Sequence, residues 1–230
     1  MQLYFHSDLS TETVELSEEE SAHLRVLRVN TGDVIWLTDG NGTLAESEIF
    51  AVNKKTIAVR VKNRQNQSKI QPELHLAISL LKNNERIEWL LEKAVEMGIA
   101  AFYPFVAQRS ERKNVNEERL KKVALSAAKQ SNRAHFPIIA PVQTFDKLIK
   151  QNFDGGKFIC HCNEQTKPIN ECLKKGEKSL ILIGAEGDFS PAEIEAALKQ
   201  NFQPMSLGNA RLRSETAGLY ATASFKFIND

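Results

Sequence analysis

Several things that would narrow a protein's class at once are scarce or missing in this 230-residue chain. Cysteine is one: three residues, an odd and low number. That argues against a disulfide framework and for a reducing compartment. A charge of one sign is another, since 30 Lys and Arg face 29 Asp and Glu, a formal net charge of +1. Whole-chain charge therefore excludes no polyanionic partner, and nucleic-acid binding has to be argued from local patches. No apolar run approaches the roughly 20 residues that cross a bilayer, and Met1 to Ser10 carry no basic-then-apolar leader. The expectation is a cytoplasmic protein with no membrane partner. Neither G-x-G-x-x-G nor a P-loop lysine is present, which disfavours a nucleotide-dependent oxidoreductase.

What is there divides in two. Residues 1–70 read as a small β-barrel domain. Val34 to Leu37, Leu44 to Val52 and Thr56 to Val61 are expected strands, with turns at Asp39 to Gly42 and Asn53 to Lys55. Ser17 with Glu20 three residues on predicts a capping box opening a short helix. Arg64 to Lys69 is polar and reads as a linker. From residue 71 to 230 strands and helices alternate, the pattern of a largely parallel sheet covered on both faces. Leu74 to Leu80, Ala101 to Val106, Lys157 to Cys162, Ser179 to Ile183 and Pro204 to Leu207 are the expected strands. Asn84 to Met97 is an amphipathic helix burying Ile87, Leu90, Leu91, Ala94 and Met97, with Gly98 as its cap. Asn116 to Arg133 is a second helix, and others follow Ser190 and Ser214.

Two loops carry the chemistry. The apolar strand Leu180 to Ile183 feeds Gly184-Ala185-Glu186-Gly187-Asp188-Phe189, and Ser190-Pro191-Ala192-Glu193 then opens a helix with a capping box and proline at its first position. Leu207 to Thr216 repeats the arrangement of strand, glycine-bearing loop and helix. Ligands of open α/β sheets bind outside the carboxyl ends of strands, and glycine lets a flat ligand approach the backbone. By spacing alone the first loop serves equally well as an ordinary strand-to-helix turn; a second such loop makes that reading weaker.

The string Ile-Gly-Ala-Glu-Gly-Asp-Phe-Ser followed by Leu-Gly-x-x-x-Leu-Arg-x-Glu-Thr-Ala resembles the signature of RsmE-type 16S rRNA uridine-N3 methyltransferases, of the SPOUT class. His23-x-x-Val-Leu-Arg28, Arg86 to Gly98 and Gln130-Ser-x-Arg133 resemble that family's other motifs, so the likeness runs through the chain. Ala185 departs from the family's usual proline; it loosens the loop and removes no side-chain chemistry. The resemblance implies an α/β fold with a SPOUT-type parallel sheet and a C-terminal trefoil knot, preceded by a PUA-like β-barrel that holds RNA. It implies a homodimer, S-adenosyl-L-methionine as cofactor, and 16S rRNA in the small ribosomal subunit as partner. The cofactor contacts implied are Ile183, Gly184, Glu186, Gly187, Asp188, Phe189, Leu207, Gly208, Leu212, Arg213 and Thr216. Cys160 and His161 end a strand beside them; cofactor contact is the better reading there than metal, because Cys160-His161-Cys162 with Cys172 matches no zinc spacing.

Between Arg109 and Arg133 eight basic residues face three acidic ones. Arg119, Lys122, Gln130 and Arg133 share a helix face that could track phosphates, with Arg109 before it, although a charge run alone is more often a solvated face. His23, Arg25 and Arg28 form a second basic group in a region otherwise slightly acidic, with eight Lys and Arg against ten Asp and Glu. Trp89, among Leu90 and Leu91, is expected to pack in the core or the dimer. For catalysis Arg133, or Arg112 from the partner subunit, is expected to place charge near the uracil carbonyls, and Glu215 is either a proton acceptor or the group that orients Arg213. Two other readings stand beside this one: a SPOUT enzyme acting on tRNA or a ribose 2′-hydroxyl, and a non-catalytic RNA-binding ribosome-assembly factor.

Overall fold

The computed structural model describes residues 2–162 and 166–230. Contacts cluster the chain into two units, one running to Lys69 and taking in Leu125–Phe136, the other comprising Ile70–Ala124 and Pro137–Asp230.

The first unit contains β1 (Leu3–Phe5), β2 (Thr13–Glu15), α1 (Glu18–Val26), β3 (Val34–Thr38), β4 (Thr43–Val52) and β5 (Ile57–Asn66). The strands form one sheet in the order β1-β3-β4-β5-β2, in which only the β1–β3 pairing is parallel. Ile57, Val59 and Val61 point inward at a period of two, as the pleat requires, and join Leu24, Leu37 and Ile49 in one apolar core. The expected linker begins too early, because Arg64 to Asn66 belong to β5. Thr43 to Ala45 supply ladder partners there, and the Arg64 guanidinium donates to the carbonyls of Leu9 and Thr11. Backbone pairing outweighs polar composition on an exposed strand.

The capping box expected at Ser17 forms by half. Ser17 accepts from the Glu20 amide at 3.2 Å, but the Glu20 carboxylate pairs with Lys129 rather than returning to the helix start. Lys129, counted in the basic run between Arg109 and Arg133, is thereby neutralised and half-buried. Phe136 packs on Phe5, with ring centroids 5.4 Å apart.

The second unit contains β6 (Leu74–Ser79), α2 (Asn84–Glu96), β7 (Ala101–Val106), α3 (Glu117–Gln130), β8 (Ile138–Ile139), β9 (Gln143–Thr144), α4 (Phe145–Ile149), β10 (Gly156–Cys160), β11 (Lys167–Pro168), α5 (Ile169–Cys172), β12 (Ser179–Ile183), α6 (Pro191–Lys199), β13 (Gln203–Ser206) and α7 (Ser214–Asn229). The latter part of α3 falls with the first unit. The sheet runs β11-β13-β10-β12-β6-β7-β8, with β9 also beside β7, and every pairing is parallel. All residues of β6 and β12 are buried, the continuous apolar signature of a strand covered on both faces.

Helix α2 buries Ile87, Leu90, Leu91 and Ala94 as its periodicity predicts, together with Val95. Gly98 closes it at φ +90°, a conformation that glycine adopts without strain. Helix α3 stops at Gln130, short of the expected Arg133: Asn132 takes φ +56° and the Arg133 amide bonds back to the Ala128 carbonyl. Trp89 is 43% exposed, so it is not a core residue of this unit.

The register sets the site. Cys160, the last residue of β10, lies level with Ile183 at the end of β12 and with Met205 near the end of β13. Three adjacent strands therefore end together, and three loops leave from one edge.

Candidate functional site

These loops enclose a cavity of about 1160 Å³, at or above the upper end of the roughly 300–1,000 Å³ usual for small-molecule sites. Cys160, His161 and Cys162 line it from the end of β10; Ile183 to Asp188 from the end of β12; Met205 to Ser214 from the end of β13 onward. Arg86 and Ala217 complete the wall from helices α2 and α7. Of the residues implied as cofactor contacts, Cys160, His161, Ile183, Gly184, Glu186, Gly187, Asp188, Leu207, Gly208, Leu212 and Arg213 line this space. Phe189 turns instead into the core, stacked 6.2 Å from Phe105 and tilted 5.6 Å from Phe145. Thr216 sits exposed on the first turn of α7.

The first loop is held from several sides. Asp188 adopts φ +59°. Its carboxylate accepts from the Phe189 amide at 2.7 Å and from the Cys162 amide at 3.1 Å, so one side chain ties two loops together. A Cβ on Gly184 would stand 3.3 Å from Asp188 backbone, and one on Gly187 would stand 3.2 Å from the Arg109 stem; both glycines keep the loop tight. Ala185 is buried, and its carbonyl accepts from the Asp188 amide at 2.9 Å. The chain forms this turn without the proline. Helix α6 begins with the expected capping box: Ser190 accepts from the Glu193 amide at 3.3 Å, and Glu193 accepts from the Ser190 amide at 2.9 Å. The other Glu193 oxygen accepts from the Gln108 amide at 2.7 Å, which fastens the loop after β7.

Two arginines expected to face RNA or substrate are engaged in this scaffold. Arg109 donates to the Gly187 carbonyl at 2.7 Å and reaches the Phe189 carbonyl at 3.4 Å. Arg112 donates to the Lys82 carbonyl at 2.5 Å, while the Lys82 amide donates to Glu186 at 3.2 Å. Both guanidiniums clamp loops of their own chain. Arg119 pairs with Glu88 at 3.0 Å; Lys122 and Gln130 are exposed on α3.

In the first unit His23 lies 3.2 Å from the Gln2 amide nitrogen and edge-on to Tyr4. Arg25 reaches the Lys55 carbonyl. Arg28 is exposed at φ +58°, beyond the end of α1, so the helical spacing that pairs it with Arg25 does not apply. Arg133 belongs to this unit as well.

Burial decides the protonation of the β10 terminus. It pushes the Cys160 thiol far up, and it lowers His161 against the opposing pull of Asp188, which favours the neutral imidazole. Burial, reinforced by Asp188, also raises Cys162. Raised thiol pKa values disfavour the thiolate, the nucleophilic form, at both cysteines. Among the described residues no three His, Cys, Asp or Glu side chains converge to hold a metal.

Sequence reasoning gave no site role to Arg86, Thr166, Met205 or Ser206, all of which line the wall. The β13 spacing could have indicated Ser206. Arg86 lies off the apolar stripe of α2, and its one signal in the sequence is its place at the head of the Arg86 to Gly98 motif. Glu215 is buried, with one oxygen 3.6 Å from Arg86; its partner is Arg86 and not Arg213.

Comparison with known proteins agrees with this architecture. Residues 68–226 match the RNA methyltransferase domain family and residues 16–62 the RNA methyltransferase PUA domain family. The ribosomal RNA small subunit methyltransferase E of Bacillus subtilis is 31% identical, over 94% of this chain and 90% of its own. That of Rickettsia conorii is 28% identical, over 98% and 95%. A solved structure from Porphyromonas gingivalis superposes with a TM-score of 0.92 at 36% identity, over 100% of this chain and 98% of the other. A Legionella pneumophila methyltransferase in complex with S-adenosylmethionine superposes with a TM-score of 0.91 at 25% identity, over 99% and 97%. No helix among the described residues is long and apolar enough to cross a membrane. A parallel sheet with a large cavity at three strand ends, a PUA domain before it, and full-length likeness to these relatives together place this chain in the RNA methyltransferase family, with the ribosomal RNA small subunit methyltransferases E.

Proposed function

We propose that the chain transfers a methyl group from S-adenosylmethionine to N3 of a specific uridine of 16S rRNA, in the assembled small ribosomal subunit and in the cytoplasm. The observation that carries the proposal is the cavity at the level ends of β10, β12 and β13, walled by two glycine-bearing loops. Its size suits a nucleoside-sized cofactor with room for a base. Gly208 at φ +105° keeps the third loop open, with nothing within 4 Å of where a Cβ would stand. The bound cofactor supplies an electrophilic methyl on sulfonium. The protein's part is alignment, exclusion of water and stabilisation of the anion left when N3 loses its proton.

The backbone of Gly184 to Asp188 and Leu207 to Gly208 would hold the flat adenine, and burial disfavours a charged His161 in the wall of this cavity. N3 lies on the pairing edge, so the uridine has to be unpaired or flipped. RNA would be held by residues 1–70 as a PUA-like domain through His23, Arg25 and Arg28, and by Arg119, Lys122, Gln130 and Arg133. Residues 71–230 would form the methyltransferase domain. A trefoil knot at the two loops and a homodimer belong to the same proposal; the exposed Trp89 is available for that contact.

The test is to incubate small subunits from a strain lacking this activity with purified protein and labelled cofactor, then map the modified nucleoside. N3-methyluridine at one site of 16S rRNA is expected, and Gly208→Trp should abolish both cofactor binding and methylation. Label on a ribose or on tRNA refutes the substrate, and unchanged activity of Gly208→Trp refutes the cofactor site.

A further inference from the structure

Arg86 and Glu215 sit at the head of the packed pair α2 and α7. Gly218, one turn beyond Glu215, lets α7 approach so closely that a Cβ there would lie 2.7 Å from Leu90 Cδ2. Leu90 is in turn one turn beyond Arg86 on α2. The two helices therefore bring Arg86 and Glu215 together by register, and the first turn of each faces the cavity end of the sheet. The Glu215 side chain is 11% exposed and that of Arg86 36%.

Arg86 Nε stands 3.6 Å from Glu215 Oε1, too long for a good hydrogen bond, so charge alone holds the pair. Glu215 Oε2 is buried with no partner among the described residues. The Arg86 side chain forms part of the cavity wall, and among the described residues Glu215 is the one group paired with its guanidinium. Arg211 and Arg213 also line the cavity, but both are exposed on the loop and neither has an ion-pair partner among the described residues. Arg112 is spent on the Lys82 carbonyl. Among the cavity's arginines, Arg86 alone is anchored by a buried acid.

We propose that Arg86 is the residue that holds an anionic oxygen inside this cavity, and that Glu215 acts through it as a positioning residue and not as the proton acceptor. A guanidinium recognises a planar pair of oxygens or a single oxyanion. Two groups of the proposed reaction offer that chemistry: the methionyl carboxylate of the cofactor, and the uracil carbonyl oxygens flanking N3, which gain charge as N3 is deprotonated. The buried Glu215 carboxylate is turned to the Arg86 guanidinium, so what it does in the cavity it does through that side chain.

The inference rests on the proposed methyl transfer and is tested separately from it. Wild type, Arg86→Ala, Arg86→Lys, Glu215→Gln and the Arg86→Ala/Glu215→Gln double variant are compared by calorimetry with S-adenosylmethionine and with its decarboxylated analogue, and by rate against pH on small subunits. Melting curves accompany each variant; if Arg86→Ala does not fold, Arg86→Lys keeps the charge while losing the planar fork. Arg86→Ala is expected to lower kcat/KM on the order of 10²-fold, with partial recovery in Arg86→Lys. Glu215→Gln should leave the shape of the pH profile unchanged and add nothing in the Arg86→Ala background. A penalty in binding S-adenosylmethionine that vanishes with the decarboxylated analogue assigns the carboxylate; unchanged binding with a slower rate assigns the uracil. Arg86→Ala with wild-type affinity and rate overturns the proposal. So does loss of the ascending limb of the profile in Glu215→Gln alone. A wild-type protein that binds no S-adenosylmethionine instead sinks the functional reading beneath it.

Discussion

Replacing Arg109 with alanine should weaken cofactor binding without touching RNA affinity. The guanidinium donates to the Gly187 carbonyl at 2.7 Å, with a weaker contact to the Phe189 carbonyl at 3.4 Å, and its stem lies against Gly187. A hydrogen bond from a charged donor contributes about 1.5–3 kcal/mol. Arg109 and Gly187 are exposed, and the Gly187 carbonyl, which takes the stronger of the two bonds, can bind water once released, so the lower end applies, about 1.5 kcal/mol. The clamped segment carries the cavity wall from Gly184 to Asp188, and ordering it falls to the ligand once the clamp is gone. A factor of ten in affinity corresponds to about 1.4 kcal/mol, so the Kd for S-adenosylmethionine should rise about tenfold, with a fall of a few degrees at most in Tm. Titration calorimetry measures the first effect. RNA binding against salt provides the control, because loss of a phosphate contact lowers the salt slope by about 1. A lowered slope with unchanged cofactor affinity would refute the clamp and restore Arg109 to the RNA surface.

Lys129→Met should destabilise the N-terminal unit by about 3–5 kcal/mol, because it strands the buried Glu20 carboxylate, and the Lys129→Met/Glu20→Met double variant should recover most of that loss. Denaturant melts decide it; equal loss in both variants would show that packing, not charge, is at stake. His75 is buried against Tyr103 and Phe153, and burial lowers its pKa although Glu73 at 3.3 Å opposes the shift. The folded form thus favours neutral His75: its contribution is present above the unfolded value near 6.5 and is lost as pH falls through the lower folded value. Between pH 7 and 5 the wild type should lose more stability than His75→Gln; parallel curves would exclude the effect.

Helix α2, strands β7 and β12 and the capping box of α6 were legible in the sequence because each rests on local chemistry. Ile87, Leu90, Leu91 and Ala94 repeat at the helical period, Leu180 to Ile183 are uniformly apolar, and Ser190-Pro191 with Glu193 forms a cap within four residues. Polar segments misled. Arg64 to Asn66 read as linker and are strand, because their ladder partners lie some twenty residues away in β4.

The sequence by itself determined the alternation of strands and helices, the two glycine-bearing loops, and the motifs that carry the family likeness. All of these are short-range patterns, set by backbone conformation and side-chain period. Only the tertiary structure decided which charges are free. Arg109 is expected to face RNA and Arg112 to reach the uracil from the partner subunit, and both donate to loop carbonyls, while Arg86, which the sequence marks only as the head of a motif, forms part of the cavity wall. Glu215 finds Arg86 more than a hundred residues away because Gly218 lets α7 close on α2. An arginine's partner is chosen by which carbonyl or carboxylate the packed fold brings within reach, and no local pattern encodes that distance.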